Sequence, residues 1–202
     1  MTGTRAGLAR SVQVRLARHA KAIGVDPNLV LTRYGVERFL YRLSLSRHAE
    51  QFDIGIGDAV TPGPQWLEYP SLLDLPRPRL RAYPRETVVA EKLHAMVLLG
   101  TRNSRMKDYF DVYALLREDK MDATELAHAI AATFERRRTP LPDGVPAGLS
   151  KSFVGDATKQ AQWRAFLSKN RLSASSLDEI VTELRERLAE PLDDLRRRSA
   201  GA

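Results

Sequence analysis

Apolar residues recur at three- and four-residue spacing through most of the chain, while short broken runs are confined to residues 53–83. The pattern predicts a mainly helical α+β protein: N-terminal helices, a few short strands, and a C-terminal helical bundle. The first helix spans about 5–23, with Leu8, Val12, Leu16 and Ile23 along one side and Gly24 closing it. Asp26 and Pro27 restart the chain as cap and first-turn proline. The second helix runs to about residue 50, with Val30, Leu31, Tyr34, Phe39, Leu40, Leu43 and Leu45 as core residues. Strands are expected at 53–59, 66–69 and 80–83, separated by the Thr61–Pro64 turn and by Pro70, Pro76 and Pro78. So few strands leave an exposed sheet edge that a partner chain could cover. Helices follow at 86–99, 106–117, 122–136, 156–169 and 175–198, with a Pro/Gly-rich connection over 139–150 and a possible kink at Pro191. Residues 1–83 and 84–202 form two regions.

The segment from Glu86 to Arg117 holds the most informative chemistry. Val89, Leu93, Met96 and Val97 form the core stripe of its first helix, and Gly100 ends it. Lys92 lies among Val88, Ala95, Met96 and Leu99, so it either snorkels to solvent or is held at a pocket wall to meet a phosphate. His94 reads as an exposed helical residue, without a second histidine at ligand spacing. Asn103 or Ser104 can cap the second helix. On it, Asp108 and Asp111 project together from an otherwise apolar face, Asp108 either stabilising the helix start or serving chemistry. Arg102, Arg105 and Lys107 surround the turn, as phosphate ligands or as its solvated rim.

Composition changes this picture little. The chain has 202 residues, 43 % of them hydrophobic, enough for a core. It contains no cysteine, which excludes disulfides and thiolate metal sites and fits a cytoplasmic location. No apolar run is long enough to span a membrane. A net charge of +7 favours nucleic-acid or nucleotide partners, though an arginine-favouring composition alone could produce it. Up to Phe52, nine Lys or Arg stand against three Asp or Glu, a surface for RNA phosphates or a solvated helix face. Arg136, Arg137 and Arg138 end a helix, where a dipole-favoured terminus competes with phosphate binding. Trp163, Phe166 and Leu167 read as core rather than as a base-stacking platform.

Three segments, in order, resemble the AbiEii/AbiGii-type nucleotidyltransferase toxins of type IV toxin–antitoxin systems. They are Asp53-Ile54-Gly55-Ile56-Gly57-Asp58, Glu91-Lys92-Leu93 within ETVVAEKL, and Lys107-Asp108-Tyr109-Phe110-Asp111 within RMKDYFDVYAL. The resemblance is strong over Phe52–Arg117 and looser in the flanking helices. It implies a nucleotidyltransferase-type sheet and transfer of a nucleoside monophosphate from a nucleoside triphosphate to an RNA acceptor, such as a tRNA 3′ end. It also implies Lys92 as phosphate contact, Asp108 as catalytic residue, Asp53 as metal ligand, Mg²⁺ as cofactor and a cognate antitoxin as partner. One departure is plain: the family's Gly-Ser turn and Asp-x-Asp strand have no counterpart. RHAEQF runs directly into DIGIGD, Asp26 is the sole earlier aspartate, and Gly35-Val36 lacks the serine. An internal loss near Gln51–Phe52, removing the primary metal ligands, would leave only a remnant of the sheet.

Three functional readings follow. The first is a toxin-type nucleotidyltransferase, impaired by that loss or completed by a second subunit. The second is a non-catalytic protein that binds an antitoxin or RNA. The third is a nucleic-acid-binding protein acting through Arg10, Arg15 and Arg18.

Overall fold

The computed structural model describes residues 5–46, 60–118 and 121–200. The strand expected at 53–59, Asp53 with it, lies outside them. The chain divides into two compact units, residues 1–56 with 65–82, and residues 57–64 with 83–202. No helix among the described residues is long and apolar enough to cross a membrane.

The smaller unit pairs α1 (Arg5–Ile23) with α2 (Pro27–Ser44), followed by a hairpin of β1 (Gln65–Glu68) and β2 (Arg79–Ala82). Asp26 caps α2 as its sequence suggests, its side chain accepting from the Asn28 N–H at 2.7 Å. The strands pair antiparallel, Gln65 opposite Ala82 and Glu68 opposite Arg79. All four β1 residues are exposed, as expected of a sheet with no further strand among the described residues. The core here is small: Leu16, Ala20, Val30 and Leu73. Leu8, Ile23, Leu31, Phe39 and Leu45, expected inside, are exposed, Leu45 by 71 %. Two helices bury only their facing stripes, and a periodic pattern does not reveal how many neighbours a helix has.

A charged residue organises this unit. Glu37 is fully buried, and its carboxylate accepts from the Ser71 hydroxyl at 3.1 Å and the Leu72 N–H at 2.9 Å. Arg15 donates to the Leu73 carbonyl at 2.8 Å and Arg38 to the Pro76 carbonyl at 3.1 Å. The proline-rich 70–78 segment, which cannot satisfy its backbone within a sheet, is thus held by side chains of both helices.

The larger unit is a helical bundle of α3 (Arg85–Leu99), α4 (Met106–Glu118), α5 (Ala123–Arg136), α6 (Lys151–Gly155), α7 (Ala157–Asn170) and α8 (Leu177–Ala200). Its core joins Val89, Leu93 and Met96 of α3 to Tyr109 and Val112 of α4, Ile130 and Phe134 of α5, and Ile180, Leu184 and Leu188 of α8. The α3 stripe, the inward residues of α5 and the buried Trp163 match the sequence pattern. Asp122 caps α5, accepting from the Thr124 and Glu125 N–H groups. The helix α8 continues through Pro191. The 139–150 connection is more ordered than its composition suggests: it contains a 3₁₀ turn at Ala147–Leu149 and leads into α6, which hydrophobic periodicity did not show. Gly148 packs directly on α3, and a Cβ there would lie 2.5 Å from the Met96 carbonyl oxygen.

That contact yields a stability prediction. Gly148→Ala should cost about 2 kcal/mol, the usual scale for overpacking a filled site. Gly144→Ala, with nothing within 4 Å, should leave the melting temperature unchanged. Thermal melts followed by circular dichroism compare the two, and equal shifts would contradict the packing of Gly148 on α3.

Candidate active site

The helices α3 and α4 are consecutive and joined by a 3₁₀ turn at Gly100–Arg102, so residues near the middle of one face the start of the other. Asp108 and Asp111, three residues apart, share the face of α4 that looks at α3. Lys92 extends between them. Its Nζ lies 2.6 Å from Asp108 Oδ1 and 2.9 Å from Asp111 Oδ2. Of its two readings, snorkelling to solvent is therefore overturned: the amine turns toward the acids of α4, and its side chain is only 19 % exposed.

Two more cations complete the cluster. Arg105 Nε is 2.8 Å from Asp108 Oδ2, and Lys107 Nζ pairs with Asp111 Oδ2 along α4. Asp108 is 3 % exposed, and a carboxylate so buried is tolerated only when paired. Burial works against the charged form of Lys92, but hydrogen bonds and charges from Asp108 and Asp111 outweigh it, holding its pKa above the ordinary lysine value. Lys92 is thus a fixed positive charge at neutral pH. Of the turn residues, Arg105 and Lys107 join the cluster, whereas Arg102 is exposed and pairs with neither carboxylate.

The turn is braced from distant parts of the chain. Lys159 of α7 is buried, donates to the Asn103 carbonyl at 2.9 Å, and lies over the Phe153 ring. The Asn103 side chain accepts from the Arg105 N–H at 2.9 Å, closing the turn just before α4. The Tyr109 hydroxyl, its pKa pushed up by burial and so a neutral donor, bonds the Gly148 carbonyl at 3.0 Å. Lys159 carried no signal in the sequence, since 56 residues separate it from its acceptor.

Lys92 and Arg105 line an open cleft of about 480 Å³, together with Glu91, His94 and Arg137 and an apolar wall that includes Val88, Ala95 and Leu98. Arg137, from the arginine run ending α5, pairs with Glu91 at 3.0 Å. A second cleft, of about 420 Å³, lies between residues 144–149 and α8 and contains none of the cluster's side chains. His94 corrects an expectation: it is buried, not exposed. Its Nε2 lies 2.9 Å from the Thr139 hydroxyl, and its ring packs edge-on against Phe134, because α5 covers this side of α3. Burial lowers its pKa below 6.5; Glu91 opposes that shift and Arg137 reinforces it.

The two clustered acids do not fit a Mg²⁺ site, since each already has its charge met by lysine or arginine. Among the described residues, no group of three His, Cys, Asp or Glu is arranged to hold a metal.

These features define a helical protein that carries a half-buried lysine–aspartate cluster beside a basic cleft. The chain belongs to the nucleotidyl transferase AbiEii toxin family of type IV toxin–antitoxin systems, whose family model matches residues 4–189. The match extends well beyond the Phe52–Arg117 segment, into the N-terminal helices and through about half of α8. Membership of a toxin–antitoxin family implies a cognate antitoxin. Neither a curated protein nor a solved structure matches the chain.

Two predictions concern the cluster and its neighbour. Asp108→Ala removes the more buried of the two carboxylates that hold Lys92, leaving Asp111 alone, and should cost about 3 kcal/mol, the low end of the scale for removing one partner of a buried pair. Asp111→Ala should cost less, its side chain being 22 % exposed against 4 % for Asp108. Urea denaturation gives both values, and adding Lys92→Met to Asp108→Ala should recover part of the loss. For His94, the folded-state pKa lies below the unfolded 6.5, so its contribution is complete above that pH and is lost as pH falls through 6.5 toward the folded value. His94→Gln should therefore flatten the fall in urea midpoint between pH 7.5 and pH 5.5. An unchanged pH dependence would show that His94 does not titrate this way.

Proposed function

We propose that this protein transfers a nucleoside monophosphate from a nucleoside triphosphate to an RNA acceptor such as a tRNA 3′ end, using the Lys92 cleft. The observation that carries this reading is the placement of Lys92. A permanently charged ammonium is held by Asp108 and Asp111 at the wall of a cleft that Arg105 and Arg137 also line. In the reaction, the acceptor hydroxyl oxygen bonds the α-phosphorus, the bond to the β-phosphate oxygen breaks, and pyrophosphate leaves as the hydroxyl proton passes to solvent. Charge builds on the leaving pyrophosphate, and fixed cations that need not reorient stabilise it best. Lys92 takes that role, with the more exposed Arg105 beside it. Asp108 acts through Lys92 by fixing where its ammonium points. Arg102 and Lys107, at the exposed edge of the turn, suit contacts to RNA phosphates. The family resemblance assigns Mg²⁺, where it is bound, to Asp53.

The second reading is a non-catalytic toxin–antitoxin or RNA-binding protein. It is favoured by one observation: both acids of the cluster are already neutralised by cations.

Incubation of the purified protein with each α-labelled nucleoside triphosphate and total tRNA separates the two. Transfer of label from at least one nucleotide is expected, falling by roughly a hundredfold in Lys92→Ala, the scale for losing one charge-stabilising donor. Folded protein that transfers no label from any of the four nucleotides would favour the non-catalytic reading.

A further inference from the structure

We propose that the cleft between residues 144–149 and α8 binds a small amphipathic monocarboxylate, with Arg185 meeting its carboxylate and the apolar walls taking its body. The inference is independent of the reading of the Lys92 cleft, which shares no lining residue with this one.

Helical spacing leaves Arg185 without a local partner. The residues three and four positions away, Val181, Thr182, Leu188 and Ala189, include no acid. Every other arginine of α8 has one: Arg187 pairs with Glu183 at 2.9 Å, Arg196 with Asp193 at 2.7 Å, and Arg197 and Arg198 with Asp194. Among the described residues no hydrogen bond or ion pair from elsewhere in the chain holds Arg185 either, and its Nε is buried without an acceptor. A charged donor left unmet in this way is costly, so it marks a place where an anion would stabilise the protein.

Arg185 lines a cleft whose walls are largely apolar, with Val145, Pro146 and Leu149 on one side and Leu188 and Leu192 on the other. Its volume of about 420 Å³ lies within the range of small-molecule sites. The walls are set before any ligand arrives. Arg196 donates to the carbonyls of Pro142 and Gly144, both at 3.0 Å, the Tyr109 hydroxyl holds the Gly148 carbonyl, and Gly148 packs on Met96. Val145 nonetheless stays 55 % exposed, an uncovered apolar side chain of the cleft wall.

The charges of the lining set the charge of the ligand. Asp193 and Arg196 neutralise each other. Glu186 is exposed and also borders the neighbouring grooves along α8, so it keeps its hydration outside the apolar walls. Arg185 therefore offers a single unmet positive charge, which one carboxylate balances through charge-assisted hydrogen bonds. A polyphosphate brings more negative charge than this lining answers, and a neutral apolar molecule leaves the guanidinium unmet.

Nuclear magnetic resonance titration of the full chain with sodium octanoate, following the backbone amides of 144–149 and α8, tests this. Octanoate should shift those signals, and Arg185→Leu should weaken its binding about tenfold, the loss of one charge-assisted contact. 1-Octanol, of equal length but uncharged, should bind wild type about tenfold more weakly than octanoate. Val145→Asp, at an exposed side chain, should also weaken octanoate binding, and it decides the matter if thermal melts show that Arg185→Leu has lost its fold. Arg105→Gln, in the other cleft, should bind octanoate as wild type does. Wild type whose signals octanoate leaves unshifted, equal affinity in wild type and Arg185→Leu, or octanol binding as tightly as octanoate would overturn the inference. So would a wild-type dimer in sedimentation that Arg185→Leu dissociates, since a second copy of the chain would then occupy the cleft.

Discussion

An ammonium and a carboxylate can leave water together only if their geometry compensates for the hydration both lose. Lys92 and Asp108 meet that condition at the junction of α3 and α4, and much of the larger unit serves to maintain it. The helices must stay close enough for a 2.6 Å contact, which requires a fixed turn between them. Lys159 holds that turn through the Asn103 carbonyl, while the Tyr109 hydroxyl and the side-chain-free surface of Gly148 tie the 147–149 segment against both helices. Removing a carboxylate therefore disturbs more than one ion pair, because Lys92 is shared by Asp108 and Asp111 and each acid also holds a second cation.

The same arrangement gives the cleft its sign. Asp108 and Asp111 are turned toward the cations that neutralise them, and the lining of the cleft offers Lys92, Arg105 and Arg137 against the single carboxylate of Glu91. A cavity with a basic rim and one apolar wall suits a ligand with an anionic tail and a less polar body. In the smaller unit, by contrast, Arg15 and Arg38 are engaged by carbonyls of the 70–78 segment. Part of the N-terminal basic charge thus serves structure, which weakens the case for a nucleic-acid interface made by that unit alone.

Helix positions were legible because their determinants are local. Asp26-Pro27, Asp122 and the α3 stripe each act within a turn or two of chain, and the structure places caps and core residues there as expected. The exposure of Phe39 and Leu45 and the burial of Glu37 were not legible, because they depend on how many neighbours a helix has and on a loop more than thirty residues away. His94 is a similar case: only the packing of α5 on α3 buries its ring.

At the site, the sequence by itself determined which residue types were at hand: a lysine amid apolar neighbours, two aspartates on one face of the next helix, and basic residues around the turn. Short-range helical geometry is enough to establish those facts. Only the tertiary structure decided that the lysine points inward, that Arg102 stays outside the cluster, and that Arg137 and Lys159 belong to the same region. Those outcomes depend on contacts between residues far apart in the chain, where burial and charge pairing, rather than spacing, set which way a side chain turns.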